Sequence, residues 1–296
     1  MTRKLVLPAL IVSAALLAAC SHREAPQPAQ PDPSQSLKST LDGMVTAFLK
    51  EAPEYATSLA ASEEIAGGKY ADRLNDVSSE GLARRVKIVE SARAELNEID
   101  REKLPASDQV SYDVVATSLD DMIAGSKFGF GTYGFTSPQP YVVSQIDGAY
   151  VEIPDFLDSQ HQVKNEQDAR DYLARVKAFA TVLDAETARI KADAEKGIVP
   201  PDFVIDGAVK QLEAFAKLAP AETVLVQSLK RKVADAKVDA ERQKELVAST
   251  EAAVKDEVLA AYRRQIDEFK AIRPKATHDA GIWRSEEHTS ELQSPI

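Results

Sequence analysis

The sequence predicts an all-α protein, an irregular multi-helix bundle or array with one aromatic- and Gly-rich loop. Three observations lead there. Apolar residues recur at three- and four-residue spacing through most of 37–272. Helix start and stop residues punctuate that pattern. The last third is rich in Ala, Lys and Glu, and no repeat of solenoid period runs through the chain.

The elements follow in order. Leu41, Met44, Val45, Phe48 and Leu49 form the first stripe within 37–61, and Pro53 breaks or kinks it. Ser78 or Ser79, with Glu80, opens a helix through Leu82, Val86, Val89 and Leu96 to about Ile99. Ser107 is expected to cap the next, which holds Val110, Val114, Val115, Leu119 and Met122 and ends at Gly125. A long helix starts at Asn165 or Glu166. Its stripe is Tyr172, Val176, Phe179, Leu183 and Ile190, with Gly197 as the residue after its C-cap. Pro200-Pro201 opens another, with Val204, Val209, Leu212 and Phe215 inside, and Pro220 punctuates again. From Glu222 to about Ile272 the pattern gives two helices, or one long helix with a break, stopped by Arg273-Pro274.

The stretch 125–148 is of another kind. Gly129, Gly131, Gly134, Pro138 and Pro140 alternate with Phe128, Phe130, Tyr133, Phe135 and Tyr141. Glycine allows sharp turns and aromatics bury large area. The stretch is read as an ordered loop packed on the helices, plugging the core. The other reading is a wall of a substrate cleft.

The 296 residues are 44% hydrophobic and 28% charged, which excludes a polytopic membrane protein and a fully disordered chain. The formal net charge of −11 argues against nucleic acid as a partner. One cysteine allows no intramolecular disulfide and no Cys-rich zinc site.

That cysteine lies at the end of an apolar run. Arg3 and Lys4 precede 5–17, a run too short to span a bilayer comfortably, which takes ~20 apolar residues. Leu17-Ala18-Ala19-Cys20 then has the form of a bacterial lipobox. Residues 1–19 are therefore read as a signal peptide and Cys20 as the lipidation site. Two or more acyl chains give stable anchoring. Ser21 in place of an aspartate favours, by resemblance to Gram-negative lipoproteins, the outer membrane with the body facing the periplasm. Pro26, Pro28, Pro31 and Pro33 make 20–36 a Pro-rich tether, with His22 inert in it.

At the other end, residues 284–294 are the in-frame translation of a common DNA-sequencing adapter. Residues 284–296 are accordingly read as an adapter-derived artefact, and Glu287 and His288 carry no functional weight. One long read across the genomic locus that shows those codons after Trp283 would refute this. The last helices are then expected to lack packing partners. Val254, Val258, Leu259, Tyr262, Ile266 and Phe269 would form an exposed apolar face prone to self-association.

Of the 4 histidines, His161 and His278 remain as candidates. Neither has metal-ligand spacing. His161 is read as a charged imidazole near a helix C-terminus, where it would suit the macrodipole. Asp120-Asp121 is read as a solvated helix end. No phosphate loop, dinucleotide fingerprint or His-Glu-x-x-His is present.

Several segments, in order, resemble a known family. They are Phe48-Leu49-Lys50-Glu51-Ala52-Pro53, Tyr112-Asp113-Val114, the run from Pro154 to His161, and the run from Asp168 to Val176. Gly197-Ile198-Val199-Pro200-Pro201, Ala260-Ala261-Tyr262, Arg273-Pro274-Lys275-Ala276 and Gly281-Ile282-Trp283 follow. Together they resemble the N-terminal half of the bacterial family called domain of unknown function 885, many of whose members are lipoproteins. The resemblance makes 37–283 the helical N-terminal part of a larger family domain. It implies a zinc-peptidase-like hydrolase whose His-Glu-x-x-Pro-Gly-His segment lies in the family's C-terminal half, outside this chain. No catalytic, cofactor-binding or metal residue is therefore assigned here, and zinc and a peptide substrate are implied for the full-length family only. The competing reading is a non-enzymatic helical scaffold or binding lipoprotein.

Overall fold

A computed structural model describes residues 32–135 and 138–279. The stretch read as a signal peptide, Cys20, most of the stretch read as a tether, Gly281-Ile282-Trp283 and 284–296 lie outside the described residues. The described residues from Pro33 form one compact unit.

The described residues are helical, with no strand among them beyond an isolated bridge from Thr132 to Gln139. Helix α1 spans Pro33–Glu51, so it starts inside the stretch read as tether, with proline in the first turn where its missing N–H costs nothing. After Ala52, α2 spans Pro53–Ser58. Ser78 caps α3, Ser79–Asn97, by accepting from the Gly81 N–H at 3.1 Å. Helix α4 spans Ala106–Ser126. Pro105 stands at its N-cap, and Ser107 lies inside the helix, so the expected Ser107 cap is not formed. Asp120 also lies within α4 and binds Arg93 at 2.8 Å, which corrects the reading of Asp120-Asp121 as a helix end.

Helices α1, α3 and α4 pack around one small core that includes Leu37, Val89, Leu96 and Leu119. Val45, Val110 and Val114, counted in the expected stripes, are instead exposed.

The larger core gathers α5 (Ala149–Ser159), α6 (Glu166–Glu195), α7 (Asp202–Ala216), α8 (Val224–Asp235), α9 (Ala240–Ala253) and α10 (Leu259–Ile272). Helix α6 is its spine. Asn165 caps it at 3.1 Å, and Gly197 follows its C-cap at φ +84°, as the sequence predicts. Helix α8 ends at Asp235, Lys237 two residues on takes φ +54°, and Asp239 caps α9 through the Glu241 and Arg242 N–H groups. The Ala-rich segment thus breaks at 236–239. Helices α9 and α10 then run on through a π turn at Val254–Val258.

The expected exposed face of the last helices is overturned. Val254, Val258, Tyr262 and Phe269 are each 0% exposed, and Leu259 and Ile266 are buried too. The chain supplies their partners itself, because α10 packs along α6 and α7. Tyr262 stacks on Phe215 at 4.5 Å and meets Phe179 edge-on at 5.8 Å.

Its hydroxyl has a further task set by the sequence. Pro154 inside α5 has no N–H to give the carbonyl of Tyr150, four residues back. The Tyr262 hydroxyl donates to that carbonyl at 2.6 Å. Tyr262→Phe is therefore expected to lower stability by about 1–3 kcal/mol, the cost of an orphaned buried acceptor. Urea unfolding with an unchanged m-value checks it, and a loss below ~0.5 kcal/mol contradicts it.

Candidate functional site

Where the two cores meet, the chain leaves a cleft of about 560 Å³. That lies within the ~300–1,000 Å³ usual for small-ligand sites. Helix α1 contributes Phe48, α3 contributes Arg85, α5 contributes Glu152, and α6 contributes Glu186 and Arg189. The rest of the wall is the Gly- and aromatic-rich loop, through Tyr133, Phe135, Gln139, Tyr141 and Asp147. The structure thus gives the loop the role of a cleft wall.

The loop is held there by α6. Gly131 sits at φ +64°, where a Cβ would lie 1.9 Å from the Gln139 carbonyl oxygen, so only glycine fits. Its N–H donates to Asp193 Oδ2 at 2.8 Å, and its carbonyl accepts from the Arg189 guanidinium. Arg189 also donates to the Val77 carbonyl at 2.9 Å, and Lys196 donates to the Gly129 carbonyl at 2.6 Å. Phe135 packs on Phe48 with ring centroids 4.2 Å apart. Gly131→Ala is expected to unseat the loop while sparing the helices. Near-UV circular dichroism should fall and far-UV signal stay the same. An unchanged near-UV spectrum contradicts that.

The charges in the cleft are unevenly satisfied. Glu186 is 5% exposed. It accepts from the Ala149 N–H at 2.9 Å, at the start of α5, and from Gln265 Nε2 at 3.2 Å. Burial pushes its carboxyl up to about 7, against those two bonds. Burial likewise raises Glu152. On the cationic side, Arg189 is fixed by two carbonyls, whereas Arg85 has no hydrogen bond or ion pair among the described residues. The nearby carboxylates Glu51 and Asp76 are instead engaged by Arg84, at 3.1 and 2.6 Å. Burial lowers the Arg85 guanidinium pKa, and repulsion from Arg189 adds to it.

The histidines lie elsewhere. His161 is 3% exposed, and its Nε2 faces the Asp168 carbonyl at 3.0 Å. Its Nδ1 lies 2.7 Å from the Arg175 guanidinium, which can only donate. The ring is therefore the neutral Nε2–H tautomer. Burial first, then Arg175, pushes its pKa down to about 4. The expected charged imidazole at a helix end is thus corrected. His278 is exposed and binds Asp202 at 2.9 Å. The structure does not bring the two histidines together. Among the described residues no three His, Cys, Asp or Glu side chains are grouped to hold a metal ion, so these residues do not fit a zinc site.

Sequence reasoning missed Arg85, Glu152, Glu186 and Arg189. The signal was present on α6: Asp171, Arg175, Glu186, Arg189 and Asp193 share one face at helical spacing, and all are buried.

Residues 53–289 match the family model described as "Bacterial protein of unknown function (DUF885)". Among solved structures, the chain is similar to the crystal structure of "the putative lipoprotein from Colwellia psychrerythraea", with a TM-score of 0.79 at 21% identity. That match covers 88% of this chain and 45% of the other, so the chain spans less than half the length of that relative. No curated protein matches.

Proposed function

The chain belongs to the bacterial family of unknown function DUF885, and from that premise we propose that it is the substrate-binding part of a lipid-anchored envelope hydrolase acting on peptide-type substrates. The cleft carries the reading. It sets guanidinium groups and carboxylates within one aromatic-walled space of about 560 Å³, which suits a chain bearing both N–H donors and carbonyl or carboxylate acceptors. Hydrolysis is assigned to the family's His-Glu-x-x-Pro-Gly-His segment. The zinc implied for the full-length family finds no donor set among the described residues, and the part these residues play is binding. The same cleft also serves the second reading, a non-enzymatic binding lipoprotein.

Anchoring at Cys20 follows from the lipobox form of 17–20 and accords with the name of the Colwellia protein. Among the described residues no helix is long and apolar enough to cross a membrane. We place the anchor in the outer membrane with the body in the periplasm. Cys20→Ala is expected to abolish acylation and shift the protein from the membrane to the soluble fraction. Unchanged fractionation contradicts the anchor.

The hydrolase reading is tested on the product of the full genomic locus. Peptide hydrolysis by that product, lost when the Glu of its His-Glu-x-x-Pro-Gly-His segment becomes Gln, is the expected result. Peptide binding without hydrolysis turns the assignment to the binding lipoprotein.

A further inference from the structure

We infer that the cleft reads a carboxylate group, the C-terminal carboxylate of a peptide-type ligand, held between Arg85 of α3 and Arg189 of α6. The inference rests on the cleft being a ligand site, and it names what that ligand must carry.

Arg85 is a half-buried guanidinium in the cleft wall with no acceptor among the described residues. A buried charge without a partner is costly, and natural chains usually pair it. The nearest carboxylates outside the cleft, Glu51 and Asp76, are bound by Arg84 on the same helix rather than by Arg85. The strongest charge acting on Arg85 is the like charge of Arg189. Two guanidinium groups line one cleft, Arg189 held by carbonyls and Arg85 by no acceptor, and a planar anion would supply the partner that Arg85 lacks. Arg189 cannot turn away, since the Val77 and Gly131 carbonyls fix it. Arg85 is steadied along its stem, where Gly134 leaves it room. A Cβ there would lie 3.4 Å from the Arg85 Cβ.

The remaining walls choose among anions. Glu152, Glu186 and Asp147 share the same cleft, so a dianion such as a phosphate meets repulsion. A monovalent carboxylate carries half that charge, and the amide N–H groups beside it can donate to those acids. The aromatic rings of Phe48, Tyr133 and Phe135 offer apolar cover for a neighbouring side chain. A peptide C-terminus combines all three features. Bidentate contact with guanidinium is the geometry that carboxylates favour.

The test is calorimetric titration of the purified full chain in detergent. The probes are acetyl-Ala-Phe-Ala with a free C-terminus, the same peptide as its C-terminal amide, and acetyl-Ala-Phe-Asp amide, whose only carboxylate is on a side chain. The free acid is expected to bind about tenfold more tightly than the amide, a single charge-assisted pair. Arg85→Gln is expected to bring the acid down to the level of the amide. Its melting temperature should match or exceed that of the parent, since an unpaired charge is removed, so lost binding cannot be blamed on unfolding. Equal affinity for acid and amide, or discrimination that survives Arg85→Gln, overturns the carboxylate subsite and leaves the cleft a ligand site. Tighter binding of the Asp amide than of the free acid overturns the C-terminal assignment in favour of a side-chain carboxylate. No binding of any probe overturns both the subsite and the peptide reading of the cleft.

Discussion

Replacing Arg175 by alanine is expected to cost about 3–5 kcal/mol of stability, the range for removing one member of a buried charge network. Arg175 is 0% exposed. Its guanidinium donates to the Arg73 carbonyl at 2.8 Å, to Thr57 Oγ1 at 2.6 Å and to the Tyr70 carbonyl at 3.1 Å. It also donates to the Pro53 carbonyl at 3.4 Å and to His161 Nδ1 at 2.7 Å, and it lies over the Phe156 ring at 4.9 Å. Burial lowers its pKa to about 10, so it stays charged at neutral pH. One side chain of α6 thereby satisfies α2 and the segment leading to α3. Alanine removes the side-chain donor to the Arg73 carbonyl and to His161 Nδ1, while the Pro53 and Tyr70 carbonyls keep only Thr57 Oγ1 and the Arg73 N–H. Arg175→Lys should recover only part of the loss, because one ammonium cannot copy a planar fork of five N–H groups. Urea unfolding of the three proteins measures this. A loss under ~1 kcal/mol for the alanine variant would contradict the role given to Arg175.

Glu186→Gln is expected to stabilise the protein at alkaline pH, by as much as about 3 kcal/mol. The folded protein holds this carboxyl up to about 7, from 4.5, chiefly by burial. A raised acid pKa means that the folded state binds more protons than the unfolded one. Stability from this group therefore falls as pH rises from about 4.5 to about 7 and stays low above it. The size follows from ~1.36 kcal/mol per pH unit. Glutamine keeps an oxygen for the Ala149 N–H and cannot ionise. The groups that face Glu186 are Gln265, Glu152, Arg189, Tyr150 and Tyr262. None of them restores an ionised form that burial disfavours. His161 contributes the opposite slope. Held neutral with a pKa near 4, it adds stability as pH rises from about 4 to 6.5. The diagnostic quantity is therefore the difference between parent and variant. It should be near zero at pH 4 and largest at pH 8.5. A difference that does not change with pH contradicts the assignment.

Much of the helical plan was legible because local chemistry fixes it. Ser78, Asn165 and Gly197 cap helices where the sequence places them, each by a short-range backbone contact. Ser107 failed as a cap because Pro105 already stands at that end of α4 and the helix starts a residue before Ser107. The last helices were misjudged for a different reason. A stripe such as Val258, Tyr262 and Phe269 shows that burial is needed but not which element provides it, and α6 and α7 turned out to be near. The cleft was half legible. The mixture of Gly and aromatics in 125–148 marked an ordered loop, and the same residues proved to be a wall. The charged groups facing it were harder to read: Glu186 and Arg189 share a helical face with Asp171, Arg175 and Asp193, but such a face ordinarily reads as solvated. Only packing against α5, α10 and the loop makes that face an interior.

Hydrogen–deuterium exchange with and without acetyl-Ala-Phe-Ala tests the central claim, that this cleft is where the chain holds a ligand. The account predicts slower exchange in 127–148, around Arg85 in α3, and around Glu186 to Asp193 in α6, with α8 and α9 unchanged. Protection confined to α8 and α9, or none anywhere at saturating peptide, would contradict it.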